Sequence, residues 1–89
     1  MSLQSPAISP EVIRRCFDAH RVLYSGHARH EMQVEEFGPM TDQEVYEAVC
    51  TGEIIEAYPE DTPYPSVLLL GLTHAQRPLH LVCAYNQPE

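Results

Sequence analysis

The sequence contains no lysine and no tryptophan, and arginine occurs only five times among its 89 residues. Its thirteen acidic residues give a formal net charge of −8, and ten of them lie between Glu31 and Asp61. A nucleic-acid-binding protein normally carries a stripe of basic residues, so this charge disfavours nucleic acid as a partner. It favours a basic partner or a small molecule, unless the acidic surface serves only solubility.

Long apolar runs and cysteine frameworks are also missing. No segment approaches the roughly 20 apolar residues that a membrane helix needs, and the N-terminus has no secretory signal pattern. We therefore expect a cytoplasmic protein that does not enter a membrane. Cys16, Cys50 and Cys83 are too far apart for a disulfide framework or a zinc site. We expect each of them to be a small buried apolar side chain.

Local signals predict three helices in the first half of the chain. Ser9 before Pro10 is typical of a helix start, and Thr41 with Glu44 forms a capping-box pattern. The predicted helices extend from about residue 10 to 21, from 27 to 36 and from 42 to 51. A short extended strand is expected at 22–24, and residues 1–8, which show no periodicity, predict a loose arm.

The second half predicts three strands, at 53–58, 67–72 and 79–85. The middle strand is almost continuously apolar, so we expect it to be central and buried on both faces. The order α-β-α-α-β-β-β predicts one α+β domain over 9–89, with three helices packed on a small antiparallel sheet. We expect Val49, Leu69 and Val82 in the core and Glu56 and Glu60 in solvent.

Four short motifs follow one another between Tyr24 and Tyr85. They are Ser-x-His-Ala from residue 25 with Met32 behind it, Gly-Glu-Ile-Ile-Glu from 52, Tyr-Pro-x-Asp-x-Pro from 58, and Arg-Pro-Leu-His-x-Val from 77. Together they resemble the domain-of-unknown-function 4258 family. The resemblance implies a small RelE-like fold, akin to that of the bacterial ribonuclease toxins RelE and BrnT, and implies no established activity.

The chain departs from this family at two positions. Many members carry arginine just before the methionine and again three residues after it, where this sequence has Glu31 and Glu35. A ribonuclease of this fold needs cations to hold phosphate and to stabilise the charge that develops on it. The two acids therefore argue against RNA cleavage.

Three residues are the candidates for catalysis: His27, Glu31 and His80. Histidine titrates near neutral pH, so His27 and His80 could act as acid and base if they share a pocket. The alternative is that both histidines are structural and hydrogen-bond to the backbone or to an acid. His27, His30, Glu31 and His80 are also weak candidates for a metal site, but their order is not that of a metalloprotease. We expect no metal and no cofactor.

A second set of residues could bind a partner. Tyr58 and Tyr64 lie beside Asp61 in a proline-rich, stiff loop that could hold a basic peptide, or could be only a rigid connector. Tyr58, Asp61 and Tyr85 could also line the cleft of His27 and His80. In a ribonuclease, Arg29 or Arg77 could contact phosphate. The leading prediction is an interaction or regulatory module with a protein partner or a second copy. The alternative is a toxin-antitoxin-type ribonuclease using His27 and His80. A metal-dependent small-molecule enzyme is less favoured. Whether the chain is an enzyme stays open.

Overall fold

The computed structural model describes residues 8–35 and 38–86 of the chain. Within these residues three helices precede three strands. They are α1 (Pro10–Asp18), α2 (Gly26–Gln33), α3 (Asp42–Thr51), β1 (Glu53–Tyr58), β2 (Ser66–Leu72) and β3 (Pro78–Ala84). The strands form one antiparallel sheet in the order β1-β2-β3. The predicted α+β class and the order of these helices and strands are confirmed.

Each helix begins at a hydroxyl side chain that accepts a hydrogen bond from a free N–H of the first turn. Ser9 caps α1 and Ser25 caps α2. Thr41 caps α3 in the predicted capping box: its Oγ1 accepts the Glu44 N–H at 3.1 Å, and the Glu44 carboxylate accepts the Thr41 N–H at 2.9 Å. These starts are local in sequence, which is why the pattern predicts them correctly.

The ends of α1 and α2 differ from the prediction, whereas α3 ends at Thr51 as predicted. The helix α1 ends at Asp18, because His20 takes a left-handed conformation with φ 57°. The N–H groups of His20 and Arg21 then donate to the carbonyls of Phe17 and Cys16, which makes a Schellman motif. The predicted strand at 22–24 is not a strand, since these residues pair with no other described segment.

The helix α2 also stops early, at Gln33. Its Met32 carbonyl accepts a hydrogen bond of 2.7 Å from the Met40 N–H. In a longer helix this carbonyl would accept a hydrogen bond from an N–H four residues further on. The Met40 N–H takes that place, so α2 ends here. The predicted last residue, Glu36, lies outside the described residues, as do residues 1–7 of the predicted arm. Ile8, the last residue of that arm, packs against the core.

All three helices contribute to a core on one side of the sheet, which we call the covered face. The buried cluster contains Ile13 of α1, Met32 of α2, Val45 and Val49 of α3, and Val67 and Leu69 of β2. Val49 and Leu69 have no exposed surface, as predicted. Burying an apolar side chain of this size contributes about 1.5–3 kcal/mol relative to leaving it exposed.

The opposite side of the sheet has no covering layer among the described residues. Leu68 and Leu70 are half-buried, Leu72 is 40% exposed and Val82 is 70% exposed. The predictions that β2 is buried on both faces and that Val82 belongs to the core are therefore wrong. The prediction that Glu56 and Glu60 face solvent is confirmed.

The cysteines are less buried than predicted. Cys50 on α3 is exposed, while Cys16 and Cys83 are half-buried, and all three thiols are free. Burial raises the pKa of the Cys83 thiol to about 11. None of the described helices is long and apolar enough to cross a membrane.

Candidate interaction site

The uncovered side of the sheet, which we call the open face, is ordered in rows across the three strands. Side chains on a strand alternate between the two faces, and the register between strands places residues side by side. One row is Glu56, Leu68 and Val82, and the next is Glu53, Leu70 and His80. Tyr58, Ser66 and Ala84 form a third row, and Leu72 beside Pro78 ends the face near the β2–β3 turn.

The open face therefore has an apolar strip beside an acidic rail. Leu68, Leu70, Leu72 and Val82 form the strip along β2 and β3, and Glu53 and Glu56 form the rail along β1. No arginine lies in these rows. Contiguous exposed apolar side chains next to charged ones are typical of a protein-binding surface.

Tyr58 extends the rail at the end of β1. Its hydroxyl donates a hydrogen bond to the Glu56 carboxylate. This hydrogen bond, with a smaller contribution from partial burial, raises the pKa of Tyr58 above its ordinary value. The tyrosine stays protonated near neutral pH, so the pair carries one negative charge, on Glu56.

The structure does not bring the three candidate catalytic residues together. His80 lies in the second row of the open face, whereas His27 and Glu31 lie on α2, whose Met32 packs into the core on the covered face. All three are exposed, and no hydrogen bond or ion pair joins any two of them. Their catalytic role stays a prediction without geometric support.

Arg29 connects α2 to the start of α3. Its guanidinium makes two hydrogen bonds with the Asp42 carboxylate, at 2.5 and 3.2 Å. It also lies 3.9 Å from the centre of the Tyr24 ring, in a cation–π contact. The hydrogen bond with Arg29 holds the pKa of Asp42 below its usual range. Arg29 is thus engaged with Asp42 and Tyr24 of the same chain, and its contact with a phosphate stays a prediction.

Like Arg29, Arg77 is bound by other groups of the same chain. Its side chain is only 17% exposed and donates to the Gly38 carbonyl at 2.6 Å and to the Pro39 carbonyl at 3.4 Å. Its guanidinium also lies 3.5 Å from the Glu44 carboxylate and 3.8 Å from that of Glu35. Arg77 therefore fastens the chain between α2 and α3 to the start of β3.

The proline-rich loop between β1 and β2 is closed by Asp61. The Ser66 hydroxyl donates to the Asp61 carboxylate at 2.5 Å, and the Asp61 N–H donates to the Tyr58 carbonyl at 3.2 Å. Tyr64 is 40% exposed at the loop surface. Of the two acids of the loop, Asp61 is occupied by this hydrogen bond and Glu60 is exposed.

Tyr85 lies beside the end of this loop, where its N–H donates to the Pro65 carbonyl at 3.1 Å. It borders a solvent-open cleft of about 460 Å³ beside α1, whose other lining residues are Val12, Arg15, Cys16, Asp18, Ala19 and Arg21. A second cleft of similar volume, about 460 Å³, lies between α1 and α3. Neither cleft contains His27, Glu31 or His80, so no described cleft gathers the predicted catalytic set.

Metal ligands are also not gathered. No group of three or more histidine, cysteine, aspartate or glutamate side chains is placed to hold an ion in the part of the chain that the structure describes. The weak metal candidates His27, His30, Glu31 and His80 are therefore not clustered. His74 is exposed and its ring lies 3.4 Å from the Glu47 carboxylate.

Fold and surface together define a small α+β domain with helices on one face of its sheet and an apolar, acid-edged face on the other. The sequence model of the family "Domain of unknown function (DUF4258)" matches residues 24–89. The chain belongs to this family. The helix α1 precedes the matched segment, although its Ile13 is part of the core. Comparison with curated proteins and with solved structures gave no match.

Proposed function

We propose that this chain is a protein-interaction or regulatory module whose open face binds a basic amphipathic helix of a partner protein. The observation that carries the proposal is the juxtaposition of the apolar strip with the acidic rail. A helix lying along the strands can place its apolar side on Leu68, Leu70 and Val82 and its lysines over Glu53 and Glu56. The chain's charge of −8 attracts such a partner over a distance.

The ribonuclease alternative has less support. It would use His27 and His80, which lie apart, and Arg29 or Arg77, which are engaged with acids of the same chain. Related ancestry with RelE and BrnT toxins is part of our proposal for the fold, supported by the helices that precede a three-stranded antiparallel sheet. The three free thiols fit a reducing compartment, and we place the protein in the cytoplasm.

The test uses two designed peptides of equal length, one built from leucine and lysine and one from leucine and glutamate, with the leucines in the same helical stripe. We expect the full chain to bind the lysine peptide, measured by calorimetry, and not the glutamate peptide. In the same titration, NMR shifts should change at Leu68, Leu70 and Val82. Shifts confined to the 59–65 loop would instead assign binding to that loop and overturn the open-face site.

The matched control separates the face from the overall charge. The double variant E53K/E56K should weaken binding of the lysine peptide about tenfold or more, because about 0.7 kcal/mol is lost at each rail position. The double variant E11K/E31K has the same net charge but changes residues outside the open face. Equal weakening by both double variants would show non-specific attraction and contradict the proposal.

A further inference from the structure

The strand β3 is an edge strand with an unused row of backbone groups. At one end of the β2–β3 pair the Thr73 N–H donates to the Arg77 carbonyl at 3.0 Å, and at the other the Tyr85 N–H donates to the Pro65 carbonyl at 3.1 Å. Hydrogen-bonded residues alternate along an antiparallel pair, so the odd-numbered residues of β3 face β2. The N–H and C=O groups of His80, Val82 and Ala84 therefore point outward, and no described residue hydrogen-bonds to them.

The two edges of the sheet are built differently. The register between β1 and β2 shifts between Ile54 and Glu56, which marks a β-bulge, and β1 carries two glutamates. Bulges and charges are the devices that prevent an edge from pairing with another strand. The strand β3 has seven residues in unbroken register with β2 and carries no aspartate, glutamate, lysine or arginine. Pro78 at its start is the one residue on it that lacks an N–H.

The charge distribution favours a second copy of the chain as the occupant of this edge. Two molecules of net charge −8 repel each other over most of their surfaces. The stretch from Pro78 to Asn86 contains no aspartate, glutamate, lysine or arginine, so two such edges can approach without facing the acids that give the chain its negative charge. An antiparallel strand paired with itself is also self-complementary, as a two-fold interface requires.

We propose that β3 pairs antiparallel with β3 of a second copy, with the two-fold axis at Val82. In this register Val82 lies opposite the partner subunit's Val82, and His80 lies opposite the partner subunit's Ala84. About six backbone hydrogen bonds form across the axis, since each outward residue donates and accepts. The two sheets become one sheet of six strands, and this register places the two Val82 side chains next to each other on the open face.

The pairing leaves the open faces free and joins them. The apolar strips of the two copies meet at the two-fold axis, and the acidic rails lie at the two outer edges. This inference is independent of the proposed function, because a dimer can form whether or not a basic helix binds. It assigns an interface to backbone groups that no described residue of the same chain uses.

Two measurements on the full chain test the pairing. Sedimentation equilibrium should give twice the chain mass at high concentration. Amide hydrogen exchange should slow with rising concentration at His80, Val82 and Ala84 together, an every-second-residue pattern that only edge pairing produces. A chain that stays monomeric at 1 mM, taken as about the highest practical concentration, overturns the proposal. A dimer in which these three amides exchange as fast as in the monomer overturns it as well.

A variant pair separates the interface from folding. Val82→Lys places two like charges on the axis and should make the chain monomeric, while its circular dichroism stays unchanged because Val82 is 70% exposed. Leu23→Lys makes the same chemical change at a residue that is 97% exposed and lies outside the sheet, and it should remain dimeric. Persistence of the dimer in folded Val82→Lys, or its equal loss in Leu23→Lys, contradicts the assigned edge.

Discussion

The backbone of Ala48 in α3 occupies the space that a Cβ atom on Gly71 would need. A Cβ built on Gly71 overlaps the Ala48 carbonyl oxygen and lies 2.6 Å from its carbonyl carbon. Ala48 has no exposed surface. The helix α3 therefore rests directly on β2 at this point, main chain against main chain, and this contact sets the distance between the helix layer and the sheet.

Gly71→Ala should therefore destabilise the fold strongly. The added methyl group meets the backbone of Ala48, which cannot yield by changing a rotamer, and we expect a loss of about 3 kcal/mol in the free energy of unfolding. Urea denaturation followed by circular dichroism measures it. Gly26→Ala is the matched control, because nothing lies within 4 Å of a Cβ there. Equal stability of the two variants would refute this account of the contact.

Arg77→Lys should also be destabilising. A lysine keeps the charge but cannot donate at once to the Gly38 and Pro39 carbonyls and to Glu44. Losing charged hydrogen bonds at a side chain that is 17% exposed should cost about 2 kcal/mol. Arg14→Lys is the comparison, since its contact with Glu11 is an exposed pair at 3.6 Å and should matter by less than about 0.5 kcal/mol. If Arg77→Lys left the free energy of unfolding unchanged, Arg77 would not be needed for stability and would be available for a role in binding.

His20→Gly should stabilise the chain. His20 has φ 57° at the end of α1, a conformation that a side chain with a Cβ adopts at a cost. Glycine removes this cost but gains freedom in the unfolded chain, so we expect a net gain of about 0.5–1 kcal/mol. The melting temperature should rise by a few degrees. Ala19→Gly, next to it at φ −91°, should give no gain, and a gain of the same size there would point to another cause.

Stability should fall in acid partly through Glu47. The Glu47 carboxylate accepts the His74 N–H at 2.9 Å, and this hydrogen bond lowers the pKa of Glu47. The unfolded chain therefore takes up the proton at a higher pH than the folded chain, so the contribution is present above the ordinary glutamate pKa near 4 and is lost below it. Glu47→Gln should make the fall of melting temperature from pH 5 to pH 3 shallower. Glu60→Gln, at an exposed loop position, should leave the slope unchanged.

The three thiols should react with iodoacetamide in a fixed order. The thiolate is the reactive form, and burial raises the pKa of Cys83 to about 11. At pH 8 we expect exposed Cys50 to be alkylated first and Cys83 last, as followed by peptide mass spectrometry. Mild denaturation should abolish the difference. Early labelling of Cys83 in the folded chain would mean that β3 opens readily.

The sequence predicts correctly what is decided locally. The capping box of Thr41 and Glu44 joins residues three apart, so its pattern alone places the start of α3. The end of α2 depends instead on Met40, whose N–H returns from outside the helix to the Met32 carbonyl. No local pattern announces such a contact, and the prediction therefore runs too far.

The open face is not predicted from the sequence, for a related reason. The run from Val67 to Leu72 is apolar at every position except Gly71, so alternation is hidden and the run resembles a strand covered on both sides. Whether Leu68 or Leu69 is covered depends on where the helices lie. All three helices pack on the face that carries Leu69. The uncovered face could have been inferred from the number and length of the helices. Three helices of eight to ten residues can cover only one side of the sheet.

The β-bulge between Ile54 and Glu56 has a consequence for growth into fibres. A sheet with two open edges can add a strand at each end without limit, as amyloid does. Here one edge is bent and acidic, so each chain can offer only the other. Strand addition between copies therefore stops at the dimer. The chain can carry an apolar edge strand at high concentration without forming a polymer.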